Sequence, residues 1–221
     1  MKPSSRLLTA ASAGLLAAAA TAGPLGWKLA VQHRAAHRDA LTGLHNRAGF
    51  ARALRRVSGS AVWLVAADCN RFKAVNDALG HAAGDAVLQA LAARMRRLVA
   101  PSGAAARFGG DEFVLACTSE QLAAIGAGIL AVTATGPDGQ SLPVTMAAGA
   151  VGYDPAAPFG AQLARADAAS YRAKSTGAPL AVFDPAADDH PAAPANTRPA
   201  VRVRDLDRWG AADSQTREAV A

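Results

Sequence analysis

The sequence predicts an α+β fold, and three observations carry that prediction. Val62-Trp63-Leu64-Val65-Ala66-Ala67 is a continuous apolar run ending on Asp68, as a strand buried on both faces should be. From Asp85 onward, Val87, Leu88, Leu91, Met95 and Leu98 make one apolar helical stripe, with Arg94, Arg96 and Arg97 towards the end favoured by the helix dipole. Ala104 to Cys117 is largely apolar on both sides of Gly109-Gly110, which reads as a β-hairpin with the glycines at or near its turn. With 221 residues and 51% hydrophobic content, the chain is long enough for one domain with a proper core plus appendages. The net charge of +6 and pI near 10.0 suit a polyphosphate ligand or an anionic membrane face and specify neither. No nucleic-acid partner is expected. Cys69 and Cys117 lie in or at the end of apolar runs, the pattern of buried thiols in a reducing compartment rather than of a disulfide framework.

Taken in order, residues Leu7 to Leu25 carry no charge and have Lys2 and Arg6 before them and Lys28, Arg34 and Arg38 after. That length crosses a bilayer once, although Pro24 would end or kink the helix. A cleavable signal peptide with Ala20-Thr21-Ala22 as its small-residue site is the competing reading. The larger basic cluster follows the segment, so a single-pass inner-membrane anchor over residues 1–30 is expected, with the remainder cytoplasmic after a linker over 31–38. Val31 to Val57 reads as helix interrupted by Asp39-Ala40-Leu41-Thr42-Gly43-Leu44-His45-Asn46-Arg47, a second helix starting near Arg47. After the hairpin, Ser119 can cap a helix through about Val132, Gly136-Pro137-Asp138-Gly139 is a turn, and Val144 to Val151 reads as a strand. A last helix, about Ala161 to Lys174, stops at Gly177, and Leu180 to Phe183 is a short closing strand. Residues 185–221 are Pro, Ala, Asp and Arg rich and read as a largely disordered tail.

Chemistry concentrates at four places. Gly109 and Gly110 leave room for a bulky anion at the backbone, and Asp111-Glu112 just past them add two carboxylates, an arrangement that calls for a metal between acid and anion; a plain hairpin with a solvated acidic tip has the same residues. Strand alternation points Asp111 and Glu112 to opposite sides, which suggests one ligand and one helper. Asp68, at the end of a central strand, is a candidate ligand or the cap of the following helix. The first turn after it, with Arg71 and Lys73, offers unpaired N–H groups for phosphates. Asn76 and Asp85 bracket a bend marked by Gly80 and Gly84. One carboxamide and one carboxylate can read guanine, whereas adenine would set an acceptor against the carboxylate; as caps of adjoining helices the two residues would have no such role. Lys174 is a phosphate contact or a cation offsetting the helix dipole.

These signals fall in one order. Asp39-Ala-Leu-Thr-Gly-Leu-His-Asn-Arg47, Asp68-Cys-Asn-Arg-Phe-Lys73 through Asn76-Asp77 to Gly80-His81 and Gly84-Asp85, Arg107-Phe-Gly-Gly-Asp-Glu-Phe113, and Ala166-Asp167 through Ala173-Lys174 to Gly177 together resemble the GGDEF family of diguanylate cyclases. The resemblance covers about residues 39 to 183 and places the domain at 39–184. It implies a nucleotide-cyclase or polymerase-palm-like, ferredoxin-like antiparallel sheet flanked by helices. It also implies that two GTP molecules, one per subunit of a homodimer, condense to cyclic di-GMP with release of two pyrophosphates. By the same resemblance, Asp68, the Cys69 backbone carbonyl and Asp111 would hold Mg²⁺, with Mn²⁺ as a substitute, and Glu112 would assist the metal or deprotonate the attacking 3′-hydroxyl. Phe72, Lys73, Asn76, Asp85, Gly109, Gly110 and Lys174 would contact the substrate. The chain departs from the family at Asn70, where an acid is usual, at Ala178-Pro179, where a small basic residue is expected, and at Ala100 to Gly103, where the Arg and Asp of the product-inhibition motif are both missing. The departure at Ala178 keeps a second reading open, a degenerate domain that binds GTP or cyclic di-GMP and signals through a partner.

Overall fold

The computed structural model describes residues 36–57 and 62–188. In chain order the elements are α1 (Arg47–Leu54), β1 (Val62–Cys69), α2 (Phe72–Leu79), α3 (His81–Val99), β2 (Ala104–Gly109), β3 (Glu112–Thr118), α4 (Ser119–Gly126), β4 (Val132–Thr135), β5 (Ser141–Val144), β6 (Met146–Gly152), α5 (Phe159–Thr176), β7 (Leu180–Val182) and α6 (Pro185–Asp188).

The main sheet has the order β2-β3-β1-β6-β7. Its first four strands pair antiparallel, the strand order and connections of a ferredoxin-like sheet, while β6 and β7 run parallel. Helix α5 returns the chain to the end of the sheet where β6 began, and this crossover makes the last pair parallel. β1 lies at the centre and is buried on both faces, which is why its sequence does not alternate. Val65, Ala67 and Cys69 pack towards the α3 stripe of Val87, Leu88, Leu91 and Met95, and Leu64 and Ala66 pack with Phe50 of α1 and Leu163 of α5. Each fully buried leucine-sized side chain contributes about 1.5–3 kcal/mol relative to exposure.

Several boundaries differ from the sequence reading. Asn46 caps α1 through its side-chain oxygen, as the predicted start near Arg47 requires. Helix α4 stops at Gly126 rather than Val132, and Thr118, not Ser119, caps it in a reciprocal capping box with Gln121. The chain turns after this early stop, and the next strand, β4, pairs with β5 around the turn at 136–139 as a separate two-stranded sheet. Residues 185–188, expected to open the disordered tail, form α6, held to α5 by Arg172 Nε donating to Asp188 at 2.7 Å.

The hydrophobic segment over residues 7–25 and the tail beyond residue 188 lie outside the described residues. Among the described residues no helix is long and apolar enough to cross a membrane. This overturns the expected single-pass inner-membrane placement. The two helices with the length, α3 and α5, are amphipathic and carry Asp85, Arg94, Arg96 and Arg97, and Arg165, Asp167, Arg172 and Lys174, respectively.

Candidate active site

The candidate residues come together at one end of the sheet because three chain reversals meet there. β1 pairs with β3 in a register that sets Asp68 directly opposite Glu112, and with β6 so that Asp68 also faces Ala147. Directly opposed residues of an antiparallel pair hold their Cβ atoms about 4.5–5.5 Å apart. The β2–β3 reversal is made by Gly110 and Asp111, with Gly110 in the left-handed region at φ +48°, where a glycine is at ease. The ladder slips between Arg107 and Gly109. This irregularity turns Phe108 onto Phe50, ring centroids 5.9 Å apart and nearly perpendicular, beneath the Arg47 guanidinium at 4.8 Å.

The hairpin tip is fastened from outside the sheet. Arg107 Nε donates to the Gly110 carbonyl at 2.8 Å and its guanidinium also reaches Asp39 at 3.2 Å. Burial alone would raise the Asp39 carboxyl, but the Thr42 backbone and hydroxyl donors and the Arg107 charge hold it below its usual value. The opening Asp39-Thr42 turn thus carries the tip through Arg107.

Around the tip the electrostatics are those of crowded carboxylates. Asp68, Glu112 and Asp167 line one small cavity with Phe108, Leu163 and Ser170. Asp68 pairs with Lys174, whose side chain remains 43% exposed. Burial, then the charge of Asp68, raises the Asp111 carboxyl, with Lys174 and Arg107 acting against the shift. Asp111 lies in the turn ahead of β3, outside the strand that carries Glu112. Burial and the nearby Asp111 and Asp68 push the Cys69 thiol far above its ordinary range, and burial pushes Cys117 up to about 12. Both are free, buried thiols.

The helical candidates are placed as follows. Arg71 adopts the left-handed conformation at φ 57°, and no side chain caps the first N–H groups of α2, where Phe72 and Lys73 begin the helix. Such a turn into a helix start is a concavity for anions. The N-cap of α2 is Arg71, not Asp68, and among the described residues no side chain caps it, so the capping role for Asp68 is not realised. Gly80 closes α2 by donating to the Asn76 carbonyl and serves as the N-cap of α3, which starts at His81; Asp85 is therefore inside α3, and neither Asn76 nor Asp85 is a cap. Asn70, at the place of the family's usual acid, ties the loop to Thr145 through both its backbone N–H and its carboxamide, each at 2.9 Å. Ala178 donates its N–H to Ala173 in the C-terminal cap of α5.

Among the described residues no three His, Cys, Asp or Glu side chains converge as a metal-binding group. Two carboxylates with a backbone carbonyl nonetheless suit Mg²⁺, which keeps several waters and takes its remaining ligands from substrate phosphates.

A family model described as "Diguanylate cyclase, GGDEF domain" matches residues 36–179. The chain belongs to the GGDEF diguanylate cyclase family. An uncharacterized 19.3 kDa protein of Streptomyces ambofaciens is 44% identical to this GGDEF protein over 162 residues, 68% of this chain and 87% of the relative. The diguanylate cyclase DgcP of Pseudomonas aeruginosa is 36% identical over 159 residues, which span 66% of this chain but only 24% of DgcP. Among solved structures, the coiled coil and GGDEF domain of DgcB from Caulobacter crescentus, in complex with c-di-GMP, superposes with a TM-score of 0.64 at 26% identity, covering 77% of this chain and 98% of that one. The GGDEF domain of TpbB from P. aeruginosa gives 0.54 at 32% identity, covering 67% and 95%.

Sequence reasoning quoted Asp167 within a family segment but did not single it out. Burial, then Glu112, pushes its carboxyl up to about 7 against the pull of Arg47. The unfolded carboxyl titrates near 3.8, so the folded state binds the extra proton between the two values; stability is highest below about pH 4, falls as the pH rises from there to about 7, and levels off above it. Asp167→Asn removes that penalty. In chelator at pH 8 the variant should melt several degrees above the parent, corresponding to roughly 2 kcal/mol, with the two converging near pH 4. A gap that does not change with pH would refute this.

Proposed function

We propose that this GGDEF protein is a diguanylate cyclase whose domain over residues 39–184 condenses two GTP into cyclic di-GMP at a homodimer interface. The observation that carries the reading is the register that sets Asp68 opposite Glu112 beside the Asp111 turn, where burial and then the Asp68 charge raise the Asp111 carboxyl. Like charges gathered this closely favour a bound cation. Asp68, Asp111 and the Cys69 carbonyl would hold Mg²⁺ or Mn²⁺, which would neutralise charge on the transferring phosphoryl group.

The chain's own residues do the rest. The bare start of α2 at Phe72 and Lys73, the Gly109-Gly110 backbone and Lys174 receive the phosphates, and Asn76 with Asp85 reads the guanine edge. Glu112 assists the metal or takes the proton from the 3′-hydroxyl. That oxygen bonds to the α-phosphorus of the GTP held by the partner subunit, the bond to the β-phosphate oxygen breaks, and pyrophosphate leaves; the same exchange in the other direction closes the ring. Each subunit holds half of the reactants, so synthesis requires two.

Purified protein is incubated with GTP and Mg²⁺ at several protein concentrations beside an Asp111→Ala control, and cyclic di-GMP is measured. The expected result is product that rises faster than linearly with protein and is lost in the control. Absence of product at every concentration, with GTP still bound, would favour the second reading, a module that binds GTP or cyclic di-GMP and signals through a partner. Ala178, which offers no side-chain cation just beyond the end of α5, is the feature that supports it.

A further inference from the structure

Helices α2 and α3 meet at Gly80, where φ is +83° and the Gly80 N–H closes on the Asn76 carbonyl at 2.9 Å. Four residues later Gly84 is buried inside the 19-residue α3. An interior glycine weakens a helix relative to alanine, so its place there has a steric reason. A methyl carbon built on Gly84 would overlap the Asn76 carboxamide oxygen, lie 3.0 Å from the carboxamide carbon and come within 3.2 Å of Phe72 Cζ. The Asn76 carboxamide thus rests on the bare backbone of α3, one residue before Asp85. Asn76 is half-buried, so its carboxamide reaches solvent, where a ligand edge could replace water.

We propose that Gly84 is a positioning residue for base specificity: by lacking a side chain it seats the Asn76 carboxamide beside Asp85, so that both can address one purine edge. This rests on the reading of the site as a GTP site. The group that a new methyl meets is the far end of a flexible side chain, not backbone. Alanine at this position is therefore accommodated by swinging Asn76 away, and the better helix propensity offsets part of the disturbance. The fold persists while the recognition of guanine is lost.

The test uses 3′-deoxy-GTP and 3′-deoxy-ATP, which bind without condensing, titrated with Mg²⁺ into the full chain. Gly84→Ala should weaken 3′-deoxy-GTP about 10- to 100-fold, the range expected for one lost base contact, and leave 3′-deoxy-ATP unchanged. In an Asn76→Ala background the same change should cause no further loss. Equal weakening of both nucleotides, an unchanged preference for 3′-deoxy-GTP, or a full additional loss in the Asn76→Ala background would each overturn the proposal. If the parent itself shows no preference for 3′-deoxy-GTP, the reading as a GTP site falls and takes this proposal with it. Should Gly84→Ala unfold, the Asn76→Ala/Gly84→Ala pair decides: a restored melting temperature supports the contact, and continued unfolding refutes it.

Discussion

Asp68→Asn should abolish cyclic di-GMP synthesis by about 10³-fold, or roughly 4 kcal/mol of transition-state stabilisation, while the protein melts within a few degrees of the parent. The two halves of this result have separate causes. Activity depends on the Asp68 charge, because a carboxamide is a poor ligand for a hard cation and leaves phosphoryl charge uncompensated. Stability barely depends on it. The Lys174 partner is 43% exposed, and ion pairs of that kind contribute about 0–1 kcal/mol. Against that loss, removing one carboxylate opposite Glu112 relieves Asp111 and Asp167, both of which Asp68 pushes upward. Synthesis above a tenth of the parent rate would remove Asp68 from the metal site, and joint collapse of activity and melting would make it structural.

What was legible in the sequence was local. Val62 to Ala67 announced a central strand because burial on both faces leaves no polar position, and the Gly109-Gly110 hairpin announced itself by its glycines. Asp68, Asp111 and Glu112 stood out by the order of the family segments they lie in, since an acid at a strand end or a turn taken alone also serves as a helix cap or a solvated tip. β4 was missed because Val132-Thr133-Ala134-Thr135 is only four residues long and follows a helical pattern, although Gly126 and Gly128 already marked the break. Asp167 was not singled out because a carboxylate on an amphipathic helix reads as solvated. Its burial arises only when α5 closes over β1 and β6, a contact between distant parts of the chain. Gly84 read as part of a bend for the same reason, since only the folded α2–α3 pair shows what lies on it.

Gly149→Ala applies the same small change as Gly84→Ala and should have the opposite outcome. Gly149 sits in β6 opposite Ala66 of β1 and Ala181 of β7, and α5 crosses directly over it. A methyl carbon there would overlap the Ala166 carbonyl and the Ser170 backbone nitrogen and come within 2.8 Å of the Ala169 carbonyl carbon. Every one of these atoms is backbone, so no rotamer can move aside. The interface is built for close approach, with Ala147 and Ala181 on the strands and Ala166, Ala169, Ser170 and Ala173 buried on the helix. Relief requires α5 to shift as a body, and overpacking of a tight core costs about 1–3 kcal/mol even where side chains can adjust. The expected loss is at the top of that range, about 3 kcal/mol, a fall in melting temperature of roughly 6–12 °C for a domain of this size. Because α5 also carries Asp167 and Lys174 to the site, synthesis should fall even at temperatures where the variant remains folded. A melting temperature within 2 °C of the parent would mean that α5 does not lie on β6 this closely, and the placement of Lys174 against Asp68 would lose its support.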